Sequence, residues 1–229
     1  MQGYELTNHK AVPLLAGLSE ERYERIRERV RIGAVEKGSE VFSAGEAATH
    51  MYIIYRGNVK ISAHMPDGRE QILYIYKTGE FVGGLNILSG DYYAYTGTAL
   101  SDSFIVTLSS KDVRTILMQD RHFLEELLEM SYERIRFSES LVDVLSTPNA
   151  DQRVAKVLLN LSERFGETEE NGVLLSTNLN REELGSYAGV TRETMSRKIH
   201  QFEGEGLLEI LPKGDLRLTD LKGLKEKPL

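Results

Sequence analysis

Apolar and polar positions change their period along the chain. From Glu20 the charged stretch EERYERIRERVRI carries apolar residues at Tyr23, Ile26 and Val30, a spacing that predicts one face of a short helix. Between Val35 and Leu108 the pattern breaks into short β-prone runs, VF, MYIIY, NVKIS, QILYIY and SFIVTL, punctuated by Gly38, Gly45, Gly57, Gly68, Gly79 and Gly90. Many short antiparallel strands closed into a small barrel or jelly roll are expected. Pro66-Asp67-Gly68 lies between two of the runs and predicts a hairpin turn, because proline presets φ and glycine accepts a positive one.

Ser109 and Ser110 can cap a helix, and from Asp120 a long helical pattern reaches Leu145. Leu124, Leu128, Ser131, Ile135, Ser138, Val142 and Leu145 recur in alternating steps of four and three, the seam of a coiled coil. Phe123, Leu127, Met130, Phe137, Leu141 and Val144 make a neighbouring stripe. Two stripes need two partners. The simplest assignment gives one to the chain's own β-domain and the other to the same helix of a second copy; a helix buried within one large domain is the alternative. Ser131 and Ser138 favour the first, since a hydroxyl on an apolar seam is costly in a closed core.

Ser146-Thr147-Pro148-Asn149 ends the pattern, because proline disfavours a helical residue before it. Asn149 or Asp151 can cap the next amphipathic helix, marked by Val154, Val157, Leu158, Leu161 and Phe165 and ended by Gly166 and an acidic loop over Glu167 to Gly172. Asn180 with Glu183 three residues on forms a capping-box-like start for a short helix from Arg181 to about Tyr187. Ala188-Gly189-Val190 is a tight turn, and Thr191 caps a second helix to about Glu203. Gly185 removes a side chain where the two helices approach. Downstream, two β-prone runs joined at Lys213-Gly214-Asp215 predict a hairpin wing.

This is a helix-turn-helix pattern. On its second helix Met195, Ile199 and Phe202 suit a core, while Arg192, Glu193, Ser196, Arg197 and His200 point to other faces. Arginine can bridge O6 and N7 of guanine and a carboxylate can accept from N4 of cytosine, so Arg197 and Glu193, one helical turn apart, can address neighbouring base pairs of a major groove. Arg181, Thr191, Arg192, Ser196 and His200 complete the expected DNA-contacting set, with Arg192 near the backbone. Taken alone, Glu193 and Arg197 would be an ordinary surface pair at i and i+4. The capped helix, small-residue turn, second helix and wing together are what carry the reading.

Charge and composition narrow the class. The 229 residues exceed one typical domain, and no apolar run is long enough to span a bilayer, so a cytoplasmic protein with no membrane partner is expected. The net charge is −7, with 16 basic and 21 acidic residues up to Ser146 and 12 and 14 beyond it, so any DNA-facing positive surface must be local. Cysteine is absent, which excludes disulfides and a cysteine-ligated iron–sulfur cluster. His9, His50, His64, His122 and His200 show no paired spacing within the barrel, so neither a metal site nor a cupin-type enzyme is expected, and no catalytic residue is assigned.

With these motifs in this order, the chain resembles the cyclic-AMP receptor protein and fumarate-nitrate-reduction regulator superfamily over nearly its whole length. The resemblance implies an α+β fold: a cyclic-nucleotide-binding-type β-roll sensor with its N-terminal helix over residues 1–119, a dimerisation helix over 120–146, and a winged helix-turn-helix over 147–229. It implies a homodimer that binds double-stranded DNA at palindromes with TGA-containing half-sites, TTGA or TGTGA-like, works with RNA polymerase and answers to a small-molecule effector. Arg192-Glu193-Thr194-Met195-Ser196-Arg197 satisfies the DNA-reading patterns of both branches. The sensory pattern does not carry over. The family's phosphate-binding cassette would require a glutamate at Gly84 and an arginine-serine pair near Ala94 and Tyr95, and without these anchors cyclic AMP is not the expected effector.

An unknown effector is expected in an aromatic, hydroxyl-lined pocket formed by Gly83, Gly84, Leu85, Asn86, Tyr92, Tyr93, Tyr95 and Thr96 against Phe137, Ser138 and Leu141. The alternative is that the tyrosines only fill the β-roll core or its surface. Haem, with His64 or Met65 as axial ligand in a gas sensor, is a second possibility for the effector. A β-roll module acting through protein partners is the rival to DNA binding.

Overall fold

The computed structural model describes residues 3–227 and separates into two compact units. The first holds residues up to Ala63 together with Leu73–Ile135; the second holds His64–Ile72 together with the residues from Arg136 on. This division falls inside the long helix, whereas the break at Ser146 to Asn149 is where one helix ends and the next begins.

The first unit is a β-roll of two sheets. In chain order its elements are β1 (Gly3–Glu5), α1 (Pro13–Ala16), α2 (Glu20–Glu24), β2 (Arg31–Val35), β3 (Glu40–Phe42), β4 (His50–Arg56), β5 (Asn58–His64), β6 (Glu70–Lys77), β7 (Phe81–Val82), α3 (Gly84–Ser89), β8 (Thr96–Ala99), β9 (Ser103–Ser109) and α4 (Ser110–Thr115), with the β5–β6 tip, His64–Ile72, grouping with the second unit. One sheet runs β1-β2-β9-β4-β7 and the other β3-β8-β5-β6. The hairpin between β5 and β6 closes as expected: Gly68 sits at φ 84° and donates its N–H to the Met65 carbonyl, and the Met65 N–H donates to the Arg69 carbonyl.

One expectation fails here. The helix begun at Glu20 under a Ser19 cap gives way to a single 3-10 turn, and Arg31–Val35 is a strand laid antiparallel on β9, Ile32 opposite Val106. Three apolar positions at helical spacing do not decide the matter when the β-branched residues that follow find a ladder. Tyr23, Ile26 and Val30 nonetheless bury together with Met51, Ile53, Val106 and Phe123. Thr96, one of the residues expected in the pocket, opens the strand Thr96–Ala99 between β3 and β5.

The chain then enters α5 (Arg121–Ser146), whose two stripes separate as expected. Phe123, Leu127, Leu141 and Val144 are buried. Leu128, Ile135 and Val142 are 68%, 56% and 65% exposed, with Tyr132 beside them. On the same seam Leu145 is exposed, Leu124 and Ser131 are half-buried and Ser138 is exposed, and the Ser131 hydroxyl donates back to the Leu127 carbonyl.

The second unit contains α6 (Ala150–Phe165), β10 (Gly166–Glu169), β11 (Gly172–Leu175), α7 (Arg181–Ala188), α8 (Arg192–Gly204), β12 (Leu208–Ile210), β13 (Leu216–Leu218) and α9 (Leu221–Lys225). Asn149 caps α6 by accepting from the Asp151 and Gln152 amides. The segment expected to be an acidic loop is a hairpin, β10 on β11, joined to the wing in a sheet ordered β10-β11-β13-β12. Its exposed Glu167, Thr168 and Glu169 form a polar edge strand that carries no apolar alternation to announce it. Val154, Val157, Leu158 and Leu161 pack in the same unit as Leu184, Tyr187, Met195, Ile199 and Phe202, all fully buried, each worth roughly 1.5–3 kcal/mol.

Polar ties hold this unit together. Asp151 on α6 pairs with Lys198 and accepts from Gln201 on α8, and Lys227 lies over the Phe202 ring while pairing with Glu205. Burial would raise the Asp151 carboxyl, but the hydrogen bond and charge of Lys198 and the bond from Gln201 outweigh it and hold the group below its ordinary value. At the other end of the helix pair, Ser186 on α7 accepts from the Ile72 N–H at 2.9 Å and donates to the Glu70 carbonyl at 2.6 Å, and Gln71 donates to the Ser186 carbonyl at 2.7 Å.

Candidate nucleic-acid interface and sensory region

The α7–α8 pair is built by caps. Asn180 accepts from the Glu183 amide at 2.9 Å while the Glu183 carboxylate accepts from the Asn180 amide at 3.0 Å, a complete capping box. Gly189 ends α7 at φ 63° and returns its N–H to the Gly185 and Ser186 carbonyls. A side chain at Gly185 would put its Cβ 2.9 Å from the Val190 carbonyl oxygen, so the close approach is to the backbone of the turn. Thr191 then accepts from the Thr194 amide at 3.2 Å and starts α8.

The two sides of α8 divide as the sequence predicts. Met195, Ile199 and Phe202 are completely buried, while Arg192, Glu193, Arg197 and His200 are exposed and Ser196 is half-buried. The Glu193 carboxyl is held below its ordinary value by its own backbone amide, then by the Thr191 hydroxyl and the charge of Arg192, so a ready acceptor stands at the first turn. His200 is less free than expected, for its Nδ1 lies 2.8 Å from the Ser196 carbonyl.

Arg181 lies at the start of α7, half-buried; burial pulls its guanidinium below the ordinary value, opposed by the charge of Glu203. It lines a cleft of about 430 Å³ with Asn180, Glu182, Arg192, Lys213 and Gly214. Arg181, Arg192 and Lys213 against Glu182 give this cleft a positive balance. Lys213, outside the expected DNA-contacting set, stands at φ 66° in the wing, a conformation that only a few per cent of non-glycine residues adopt.

The residues expected to line an effector pocket fall in both compact units, and each group is described within its own unit. Gly83–Thr96 belongs to the first compact unit, whereas Phe137, Ser138 and Leu141 belong to the second. Tyr93, 2% exposed, packs on Phe42 with ring centroids 4.3 Å apart, donates to the His50 carbonyl at 2.7 Å and accepts from the His50 amide at 3.1 Å. It is a core pin. Tyr52 beside it has its phenol pushed up by burial and by its hydrogen bond to Tyr93. Tyr92, Tyr95 and Leu85 are exposed, Asn86 donates to the Tyr92 carbonyl, and Thr96 accepts from the Ala44 amide. Phe137 stacks on Tyr187 with the Arg164 guanidinium 4.8 Å from its centroid, and Leu141 is buried. His64 and Met65, the haem-ligand candidates, are exposed beside the β5–β6 turn.

Comparison with known proteins decides the family. A cyclic nucleotide-binding domain model matches residues 33–120, and a Crp-like helix-turn-helix model matches residues 152–227. The CRP-like cAMP-activated global transcriptional regulator of Mycobacterium tuberculosis is 30% identical over 181 residues, 79% of this chain and 80% of that protein. The chain belongs to the CRP/FNR superfamily of transcription regulators. The transcriptional regulatory protein btr of Bordetella pertussis is 28% identical and spans 96% of this CRP/FNR member and 90% of itself. A CooA variant from Carboxydothermus hydrogenoformans shares the fold, with a TM-score of 0.79 at 19% identity over 97% of both chains. The second unit is thus a helix-turn-helix DNA-binding domain, and the first a cyclic-nucleotide-binding-type β-roll.

Membership in the CRP/FNR superfamily raises cyclic AMP as a ligand, and the residues present do not fit it. A Cβ at Gly84 would lie 2.3 Å from the Met51 Cε and 2.8 Å from the Phe81 ring, so the required glutamate could stand there only after both side chains shift. Ala94 and Tyr95 offer neither the cation nor the hydroxyl geometry of the arginine-serine pair.

Proposed function

We propose that this CRP/FNR member is an effector-controlled homodimer that reads palindromic DNA with TGA-containing half-sites, TTGA or TGTGA-like, and acts in the cytoplasm with RNA polymerase. The observation that carries the reading is the α8 surface: a helix capped at Thr191, anchored by three fully buried side chains, presents Arg192, Glu193, Ser196, Arg197 and His200 away from its core. Arg197 bridges a guanine, Glu193 accepts from a cytosine, and Ser196 serves a base or phosphate. The cleft of Arg181, Arg192 and Lys213 takes a backbone phosphate, which supplies affinity to a chain that is negative overall. Residues 1–119 sense, 120–146 pair and 147–229 bind DNA; the exposed seam of Leu128, Ile135 and Val142 supports pairing of α5 with its copy.

The effector is a small molecule other than cyclic AMP. Its binding shifts the packing of the paired helices and brings the two recognition helices to the roughly 34 Å spacing of successive major grooves. Selection of random duplexes at controlled salt is expected to enrich a TGA palindrome with the wild type and a relaxed one with Arg197→Ala. No enrichment at any salt, with the effector cavity described below occupied or empty, would sink the DNA-reading proposal.

A further inference from the structure

One cavity in the first unit lies outside the Gly83–Thr96 segment altogether. It encloses about 410 Å³ between the end of β6, the loop to β7 and the N-terminal half of α5, within the range of small-molecule sites. Its β side is aromatic: Tyr74 and Tyr76, ring centroids 4.3 Å apart, with Phe81. Its rim is acidic, with Glu80 from the loop and Glu126, Glu129 and Glu133 from α5 against the single guanidinium of Arg134. Apolar filling alone is provided by Met130 and Pro13.

We infer that this cavity is the effector site and that it takes an organic cation: an amine, guanidine or quaternary ammonium on an apolar or aromatic body. The inference rests on the regulator reading and names its ligand class. A negative rim repels phosphates and carboxylates, so the ligand is opposite in charge to a cyclic nucleotide. Tyrosine and phenylalanine rings attract a cation over their faces and also cover apolar carbon. A bare metal ion is a poor match, since no three His, Asp or Glu side chains among the described residues are grouped to hold one. The acidic residues stand on α5 between Phe123 and Ile135, so an occupant touches the helix whose outer seam is exposed.

The test uses the full-length protein and matched probes. Tyramine, phenethyltrimethylammonium and agmatine are titrated by calorimetry beside 4-hydroxyphenylacetate and cyclic AMP. At least one cation is expected to bind roughly tenfold more tightly than 4-hydroxyphenylacetate, which shares the tyramine ring. Glu126→Gln and Glu129→Gln are each expected to weaken it several-fold, whereas Glu170→Gln, in the β10–β11 turn, leaves it unchanged. The bound cation is also expected to change affinity for the selected palindrome. Failure of all three cations to bind, preference for the anions, indifference to both α5 substitutions, or binding that leaves DNA affinity unaltered would each overturn the inference. If the cations bind and no palindrome is selected, it is the DNA reading that fails.

Discussion

The recognition helix and the Gly83–Thr96 segment sit in one chain and treat their family's chemistry in opposite ways. On α8 the polar residues proposed to read DNA stand clear of the core, and their buried neighbours Met195, Ile199 and Phe202 hold the helix in place. In Gly83–Thr96 the positions that would grip a nucleotide phosphate and ribose are a glycine backed by Met51, an alanine and an exposed tyrosine, while Tyr93 has become part of the packing. The DNA double helix presents the same polyanion and the same grooves to every reader, so that surface keeps one chemistry.

The largest effect is expected where both regions depend on one seam. Charges placed at Ile135→Glu with Val142→Glu should abolish the dimer in sedimentation analysis and with it palindrome binding, while the monomer keeps its folded circular dichroism; a dimer that persists would remove α5 pairing from the account. Next, Arg197→Ala should cost about 10- to 100-fold in affinity for the selected site and relax one base position, a loss of roughly 1–3 kcal/mol. Lys213→Ala should weaken all sequences alike and flatten the salt dependence by about one counterion, as measured by fluorescence anisotropy across a salt series. Equal loss of sequence preference in the two variants would contradict the assigned division of labour.

On the sensory side, Gly84→Glu restores the residue type the nucleotide cassette calls for. It should nevertheless lower stability by roughly 1–3 kcal/mol in chemical denaturation, because Met51 and Phe81 must shift, and it should confer no cyclic-AMP binding. Nucleotide binding by this variant would show that only one anchor had been missing.

The smallest effect concerns acid. The Asp151 carboxyl is depressed in the folded state, so its contribution is present above the unfolded value of about 3.9 and is lost as pH falls through the lower folded one. Asp151→Asn should therefore cost about 1 kcal/mol at neutral pH and flatten the loss of stability as pH falls below about 4, followed by thermal melts.

Local rules made part of this molecule legible in its sequence. The Asn180–Glu183 box, the Thr191 cap, the Pro66-Asp67-Gly68 turn and the two stripes of α5 each declare themselves within a few residues, and the structure has all four. What was misread depended on partners remote in the chain. Arg31–Val35 is a strand because β9 lies alongside it, and Glu167–Glu169 is a strand because β11 does, with no alternation of their own to say so. Of the two places the sequence leaves open for Tyr93, pocket or core, its packing on Phe42 adds a core contact that its sequence neighbours do not announce. The acidic cavity joins residues near 78 with residues near 130, and neither segment alone suggests an enclosure.

The joint at Ser186 has an evolutionary consequence. Its hydroxyl meets two peptide groups, the Ile72 N–H and the Glu70 carbonyl, so the exchange asks nothing of the Glu70 side chain, while the Ile72 side chain is held by its full burial. Variation is asymmetric across the contact: a hydroxyl is demanded at one residue of α7, while the facing strand must keep its backbone, avoid proline at position 72 and, to hold the second tie, keep a side-chain donor at position 71. The tip of the hairpin, from His64 to Arg69, is correspondingly open to change in length and charge, a place where new specificity could be added without rebuilding the helix pair beneath it.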